Sequence, residues 1–431
     1  EVQRVFSPAG MEAWLVEDHT NPIVALRFAF RGGAALDPEG REGLANIVST
    51  LLDEGAGDLD SKIFQGRLED LVITLRFDAG RDNFGGRLRT LVENKATAFE
   101  LLTLALTRPR FDAEPLERIR SQIFSSLRQE AEDPNTIAGK TLFKTLFPAH
   151  PYGRPVDGTL ESVAAITQTD LKGFVKRRLA KDNLAIGVVG DITAEALKTV
   201  LDETFGGLPA KAWAWAIPEA VLKGQGRTVV VTKPAPQSAI VFADKGPKRQ
   251  DPDFYAAYVM NHVLGGGGFT SRLYNTVREK RGLAYSIYSY LSSYTDGGLF
   301  GVYAGTGKND IGDLVPLVFG EIGKLADGTG GGEDAEIARA RAQIKAGILM
   351  SLESTAARCE QLARQMIVFK RPIPIDETIA RISAVDGAAI RRVADAAHAE
   401  GKSCGAGLGG SADYAEVLAG LGVDWLQVGN D

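Results

Sequence analysis

The sequence predicts an α+β protein made of two similar domains, each packing helices against a β-sheet. Three observations carry this. The chain has 431 residues, enough for two domains of about 200 residues each. Runs of alternating apolar residues are interleaved with runs of helical period in both halves. A helix followed by a strand recurs in the same order in each half, near 170–189 and again near 387–408. The spacing assigns 1–208 to a first domain, 209–226 to a linker and 227–431 to a second.

In the first half, Glu12–Val16 and Ile23–Phe30 read as strands, the second through the alternation of Val24, Leu26, Phe28 and Phe30. A helix over 41–53 follows, because Leu44, Ile47, Val48, Leu51 and Leu52 fall on one face. Leu71–Phe77 reads as a strand that turns and pairs back through Leu91. Helices are predicted over 93–106 and 114–130, the second stopped at Asp133-Pro134. After a loop-rich passage over 142–159, Thr169 is expected to cap a helix to Leu179. A strand at Leu184–Val189 and a helix at Ala194–Thr204 complete the half.

Gly206 to Gly226 holds Pro209, Pro218, Trp213 and Trp215 and reads as a linker laid on a surface, since exposed tryptophans are costly. The second half repeats the plan. Strands are expected at Thr228–Thr232, Ser238–Ala243, Ala284–Tyr290 and Gly298–Ala304, and a helix at Phe254–Leu264. A helix at Asp313–Leu325, a glycine-rich connection at Gly328–Gly332 and one long helix from Glu333 to about Ile367 follow. Helix 387–398 and strand 405–408 close the chain.

The most distinctive stretch is Gly265-Gly266-Gly267-Gly268, followed by Ser271-Arg272-Leu273 and by Arg278 and Tyr285. Four consecutive glycines resist helix and strand alike, so they are expected to form a loop that lets another backbone approach. Ser271 offers an N-cap for a short helix. Arg278 near the helix end and Tyr285 at the next strand's start can together hold the carbonyl oxygens of an extended peptide. Taken alone, such a pair is more often surface decoration.

Composition excludes several classes. Forty-nine basic residues against 55 acidic ones give a net charge of −6, with no basic cluster, so nucleic acid is not an expected partner. No apolar run reaches membrane-spanning length, and Glu1-Val2-Gln3-Arg4 has no signal-peptide pattern. Cys359 and Cys404 stand in unrelated contexts and read as unpaired. The histidines at 19, 150, 262 and 398 show no i, i+4 pairing for a metal. No nucleophile elbow, phosphate loop or dinucleotide fingerprint occurs. On residues alone the chain has no catalytic constellation.

The order of elements and several local motifs resemble the M16 (pitrilysin-type) zinc metallopeptidases, M16B branch, over nearly the whole chain. Gly43-Leu44-Ala45-Asn46-Ile47-Val48-Ser49-Thr50 stands where catalytic members carry Gly-Leu-Ala-His-x-x-Glu-His. Phe147 to Gly158 is similar to the family's His-Pro-Tyr-Gly loop, and Leu184 to Asp191 to its Asn-Leu-x-x-x-Val-Val-Gly-Asp strand. Ser271 to Tyr285 matches its Ser-Arg-Leu…Arg-Glu-x-x-Gly-Leu-Ala-Tyr segment. The resemblance implies two domains, each a mainly antiparallel sheet packed with helices, as in mitochondrial processing peptidase.

It also implies a division of labour. Asn46 and Thr50 replace two zinc-binding histidines, Ser49 replaces the general base, and the third ligand position falls near Ser125-Ser126. Such neutral groups neither bind Zn²⁺ usefully nor activate its water. The degenerate positions therefore imply no metal and no cofactor in this chain. Arg278 and Tyr285 match the family's substrate-holding pair, and Gly265–Gly268 a glycine-rich loop near the cavity. The expected protein is a non-catalytic subunit that binds peptide or unfolded protein for a zinc-bearing M16 partner in a heterodimer, with a periplasmic location, the cytoplasm being the alternative. The alternatives are a structural or assembly protein of bc1-core type, and an autonomous peptidase with an unrecognised site.

Overall fold

The computed structural model describes residues 1–224, 226–329, 333–399, 404–408 and 424–428. The strands are β1 (Gln3–Phe6), β2 (Glu12–Glu17), β3 (Ile23–Arg31), β4 (Thr74–Ala79), β5 (Asn83–Leu91) and β6 (Leu184–Gly190) in the first half. In the second they are β7 (Arg227–Val231), β8 (Ser238–Lys245), β9 (Ala284–Ser293), β10 (Gly298–Thr306), β11 (Cys404–Leu408) and β12 (Asp424–Val428). The first helices are α1 (Leu44–Leu51), α2 (Ser61–Asp70), α3 (Lys95–Thr107), α4 (Ala113–Glu130), α5 (Pro134–Leu146), α6 (Leu160–Ala165), α7 (Gln168–Arg178) and α8 (Ala194–Phe205). The later ones are α9 (Phe254–Asn261), α10 (Ile311–Asp327), α11 (Glu333–Ser351), α12 (Thr355–Phe369), α13 (Ile375–Ser383) and α14 (Gly387–Ala399).

These elements form two compact units. One is Glu1–Arg128, Arg154–Ile217 and Leu349–Ile373; the other is Gln129–Gly153, Pro218–Ile348 and Pro374–Asp431. The division at 209–226 is therefore not a simple cut. The first unit includes α12 and the second includes α5, each drawn from the opposite half of the sequence.

The first unit holds a six-stranded sheet in the order β1-β2-β6-β3-β5-β4. Only β2 and β6 run parallel; the other pairs are antiparallel. Leu26, Phe28 and Phe30 of β3 turn one face to a core shared with α1, α3 and α8. The opposite face, through Trp14, Val16, Ala25 and Val189, is covered by Cys359 and Leu362 of α12. Burial on both faces explains why β3 and β6 read as nearly continuous apolar runs. Cys359 is buried there, its Sγ 3.2 Å from Ala25 O.

The second unit repeats the sheet in the order β12-β7-β11-β8-β10-β9. Position by position this matches the first, except that the strand beside β2 comes from the N-terminal end and the one beside β7 from the C-terminal end. Helices α9, α10 and α14 pack on one face, and α5 packs against β8 and β11.

Several sequence expectations shift. The helix before β6 is capped by Thr167, not Thr169: the Thr167 hydroxyl accepts from Asp170 N while the Asp170 carboxylate accepts from Thr167 N, a reciprocal cap. Residues 61–70 form α2, which buries only Phe64 and Leu68 and so shows little apolar period. The expected strand at Leu71–Phe77 consequently begins at Thr74. Pro134 starts α5 instead of ending all helix, because Asp133 caps it and proline suits the first turn. The long helix from Glu333 is two helices, separated where the Ser354 side chain accepts from Ala357 N and caps α12. Trp213 keeps 63% of its surface exposed and is covered by Arg177 from one side. The connection at 328–332 lies partly outside the described residues, as do the side chains of His398 and Cys404.

Candidate functional site

The degenerate zinc motif lies on α1 in the first unit. Ser49 is buried, and Asn46 and Thr50 are half-buried. The Ser49 hydroxyl donates to Asn46 O (2.7 Å), and the Thr50 hydroxyl to Ile47 O (3.0 Å) and Asn46 O (3.3 Å). Both hydroxyls are thus spent on the helix's own carbonyls, a common fate of such residues inside helices. On α4, Ser125 likewise donates to Ser121 O (3.0 Å). Just beyond the end of α1, Glu54 accepts from Arg118, so an ion pair ties the segment after α1 to α4. This donor set does not fit zinc, which takes thiolate, imidazole or carboxylate ligands. Among the described residues no group of three or more His, Cys, Asp or Glu could hold a metal ion.

The glycine run belongs to the second unit and is not a free loop. After α9 the backbone over His262–Gly266 widens to a π-helical turn, closed by Gly267 N–H to His262 O at 2.9 Å. Glycine is needed because the turn lies against β9. A Cβ on Gly265 would stand 2.3 Å from Ser289 N, and one on Gly266 would stand 2.5 Å from Asn261 Nδ2. Close approach therefore replaces looseness as the reason for the glycines. Gly268 alone has a left-handed backbone, with φ of +60° and open space around it. Ser271 does not cap through its side chain; its hydroxyl donates to Gly268 O at 2.7 Å. A second π-helical segment, Tyr274–Glu279, then carries Arg278. Wide turns of this kind are frequent at functional sites.

Arg278 and Tyr285 come together. The guanidinium carbon of Arg278 lies 5.2 Å from the Tyr285 ring centroid and 4.9 Å from that of Tyr274. Tyr285 is 72% exposed. A β-bulge puts it there. Gly305 pairs with Ser286 but the next residue, Thr306, pairs with Ala284, so Tyr285 is the extra residue on β9. Without the bulge Tyr285 would share the face of Ile287, which is buried. With it, Ala284 turns to the core and the Tyr285 ring is released to solvent. Among the described residues no carboxylate takes an ion pair from Arg278, so its N–H donors stay free for a ligand.

Sequence reasoning missed three features of the second unit. Tyr274 is the second ring against Arg278; its signal was its position one helical turn before the arginine. Arg272 of the Ser-Arg-Leu motif is buried, its Nε and Nη2 both donating to Glu336 Oε2 of α11 (2.9 and 2.7 Å). It anchors the segment carrying Arg278, a role that no local pattern signals. His150 of the His-Pro-Tyr-Gly loop is structural. Its Nδ1 accepts from Tyr152 N (3.1 Å), so the proton sits on Nε2 and is donated to Pro218 O (2.8 Å).

Comparison with known proteins bears on the fold and its relatives. Residues 165–344 match the family model described as the peptidase M16 inactive domain. An uncharacterized zinc protease of Streptomyces coelicolor is 29% identical over 312 residues, covering 71% of this chain and 67% of its own. A probable mitochondrial-processing peptidase subunit beta of Arabidopsis thaliana is 26% identical over 380 residues, covering 84% of this chain and 70% of its own. Among solved structures, a peptidase M16 inactive domain from Pseudomonas fluorescens superposes with a TM-score of 0.88 at 25% identity, covering 95% of this chain and 98% of that one. A protease from Helicobacter pylori shares the fold, with a TM-score of 0.86 at 19% identity over 95% and 99% of the two chains. Residues 165–344 thus match a peptidase M16 inactive domain, and the chain as a whole shares its fold with a solved domain of that description.

Proposed function

We propose that this chain is the non-catalytic, substrate-binding subunit of a heterodimeric zinc metallopeptidase, orienting peptides for a zinc-bearing partner of the same family. The observation that carries the reading is the Arg278–Tyr285 pair. A guanidinium held against two aromatic rings keeps its N–H edge free, and the exposed phenol beside it adds one more donor. Two donors of this kind suit the carbonyl oxygens of an extended main chain, which every peptide presents whatever its sequence. The reading is supported from the other unit by the donor set on α1, which lacks any zinc ligand and any general base. Zinc, in this proposal, belongs to the partner, as in a pair where one subunit cuts and the other positions.

The test is a reconstitution with the zinc-bearing partner. Arg278→Ala and Tyr285→Phe, each mixed with that partner, should slow peptide cleavage, up to about 100-fold for the arginine, because misplaced substrate loses the benefit of orientation. Cleavage unchanged by both substitutions would overturn the proposal and favour a structural or assembly role.

A further inference from the structure

Strand β9 ends the second sheet, and among the described residues no strand pairs with its outer edge. Such an edge offers a row of main-chain N–H and C=O groups to an extended peptide. On the sheet face beside it opens a cavity of about 460 Å³, lined by Ser286, Tyr288 and Tyr290 of β9, Tyr303 of β10, and Asn135 and Gly139 of α5. Because residues two apart share a face, Ser286, Tyr288 and Tyr290 form one row. A peptide added along β9 projects every second side chain toward that row.

We propose that this cavity receives one uncharged aromatic side chain of a peptide that adds to β9 as a further strand. The inference rests on the peptide-gripping reading of Arg278 and Tyr285, since Tyr285 lies at the start of the same strand. Charge narrows the occupant first. No lining side chain is ionic, so an acidic or basic side chain would lose water there without gaining a counter-charge. Burial pushes the phenols of Tyr288, Tyr290 and Tyr303 above the usual tyrosine range, which keeps them neutral.

Ring geometry narrows it further. Tyr288 and Tyr303 are stacked, with centroids 5.1 Å apart and planes 28° from parallel, and Tyr290 adds a tilted ring 6.3 Å from Tyr288. A further planar ring extends this stack favourably. The wall is also braced. Tyr303 donates its hydroxyl to Asn135 Oδ1, and the Tyr290 ring lies over Gly301, where a Cβ would stand 2.3 Å from it.

Gly139 supplies the test, because a Cβ there meets nothing within 4 Å and a larger side chain can fill the cavity from α5. Fluorescein-labelled, capped Ala/Ser peptides with one position varied to Trp, Phe, Ala, Arg or Glu are titrated with the full chain and followed by anisotropy. Trp and Phe peptides should bind about tenfold or more tighter than the Ala peptide. Gly139→Leu, or the more pliant Gly139→Met if the first variant melts early, should erase that preference and leave Ala-peptide binding unchanged. If Arg278→Ala weakens every peptide while aromatic peptides show no preference, the cavity assignment fails and the gripping reading stands. Tighter binding of the Arg peptide overturns the assignment to uncharged rings. If no peptide binds the wild-type chain, the gripping reading and this inference fall together.

Discussion

Replacing glycines of the 265–268 run one at a time distinguishes a packed turn from a loose loop. At Gly265 an added Cβ would sit 2.3 Å from Ser289 N and 2.7 Å from its Oγ. Ser289 is held in register opposite Val302 of β10, so the strand cannot retreat cheaply. Forcing such a contact in a packed region costs about 1–3 kcal/mol. The better helix propensity of alanine, worth about 1 kcal/mol, offsets only part of this. At Gly266 the obstacle is the Asn261 side-chain amide at 2.5 Å, which can rotate, so the cost should be smaller. Gly268→Ala meets no atoms and pays only for its left-handed backbone, about 1 kcal/mol. Urea unfolding of the three alanine variants should therefore place Gly265→Ala lowest in stability. It should also weaken peptide binding, because the displaced strand carries Tyr285. Gly265→Ala as stable as wild type, with binding intact, would refute the packing argument.

Two further outcomes follow from buried charge. Glu336→Ala strands the Arg272 guanidinium in the protein and should cost about 3–5 kcal/mol, whereas Arg272→Met combined with Glu336→Leu should cost much less than the two single changes summed; denaturant-based double-mutant cycles read this directly. Asp37 caps α1 by accepting from Gly43 N and Ala45 N, yet burial pushes its carboxyl up to about 7. A carboxyl raised in the folded state carries no penalty below its unfolded pKa, near 4, and an increasing one as pH rises from there to about 7. Relative to Asp37→Asn, wild type should gain stability as pH falls from 8 to 5, by about 1 kcal/mol or more. A melting-temperature difference with the opposite slope sinks that assignment.

Much of the fold was legible because both sheets bury alternating or continuous apolar runs and most helices carry a clear apolar face. What stayed hidden depends on distant partners. The exchange of α5 and α12 between units is set by sheet faces far away in sequence, and α2 buries too few side chains to announce itself. At the candidate site, Arg278 and Tyr285 could be paired from local spacing alone. Their geometry could not, because the bulge at Tyr285 is a register shift against β10, visible only when both strands are aligned. The glycine run misled for a related reason: consecutive glycines signal freedom, but here they are required by contact with Ser289 and Asn261.

Photo-crosslinking locates a bound peptide most directly. An extended peptide carrying a photoreactive group is irradiated with the full chain, zinc present, and both adducts and peptide integrity are read by mass spectrometry. Intact peptide, with adducts concentrated between Tyr274 and Tyr290 and lost in Arg278→Ala, is the expected result. Peptide cut by this chain alone, or adducts indifferent to Arg278, would contradict the assignment of gripping without hydrolysis.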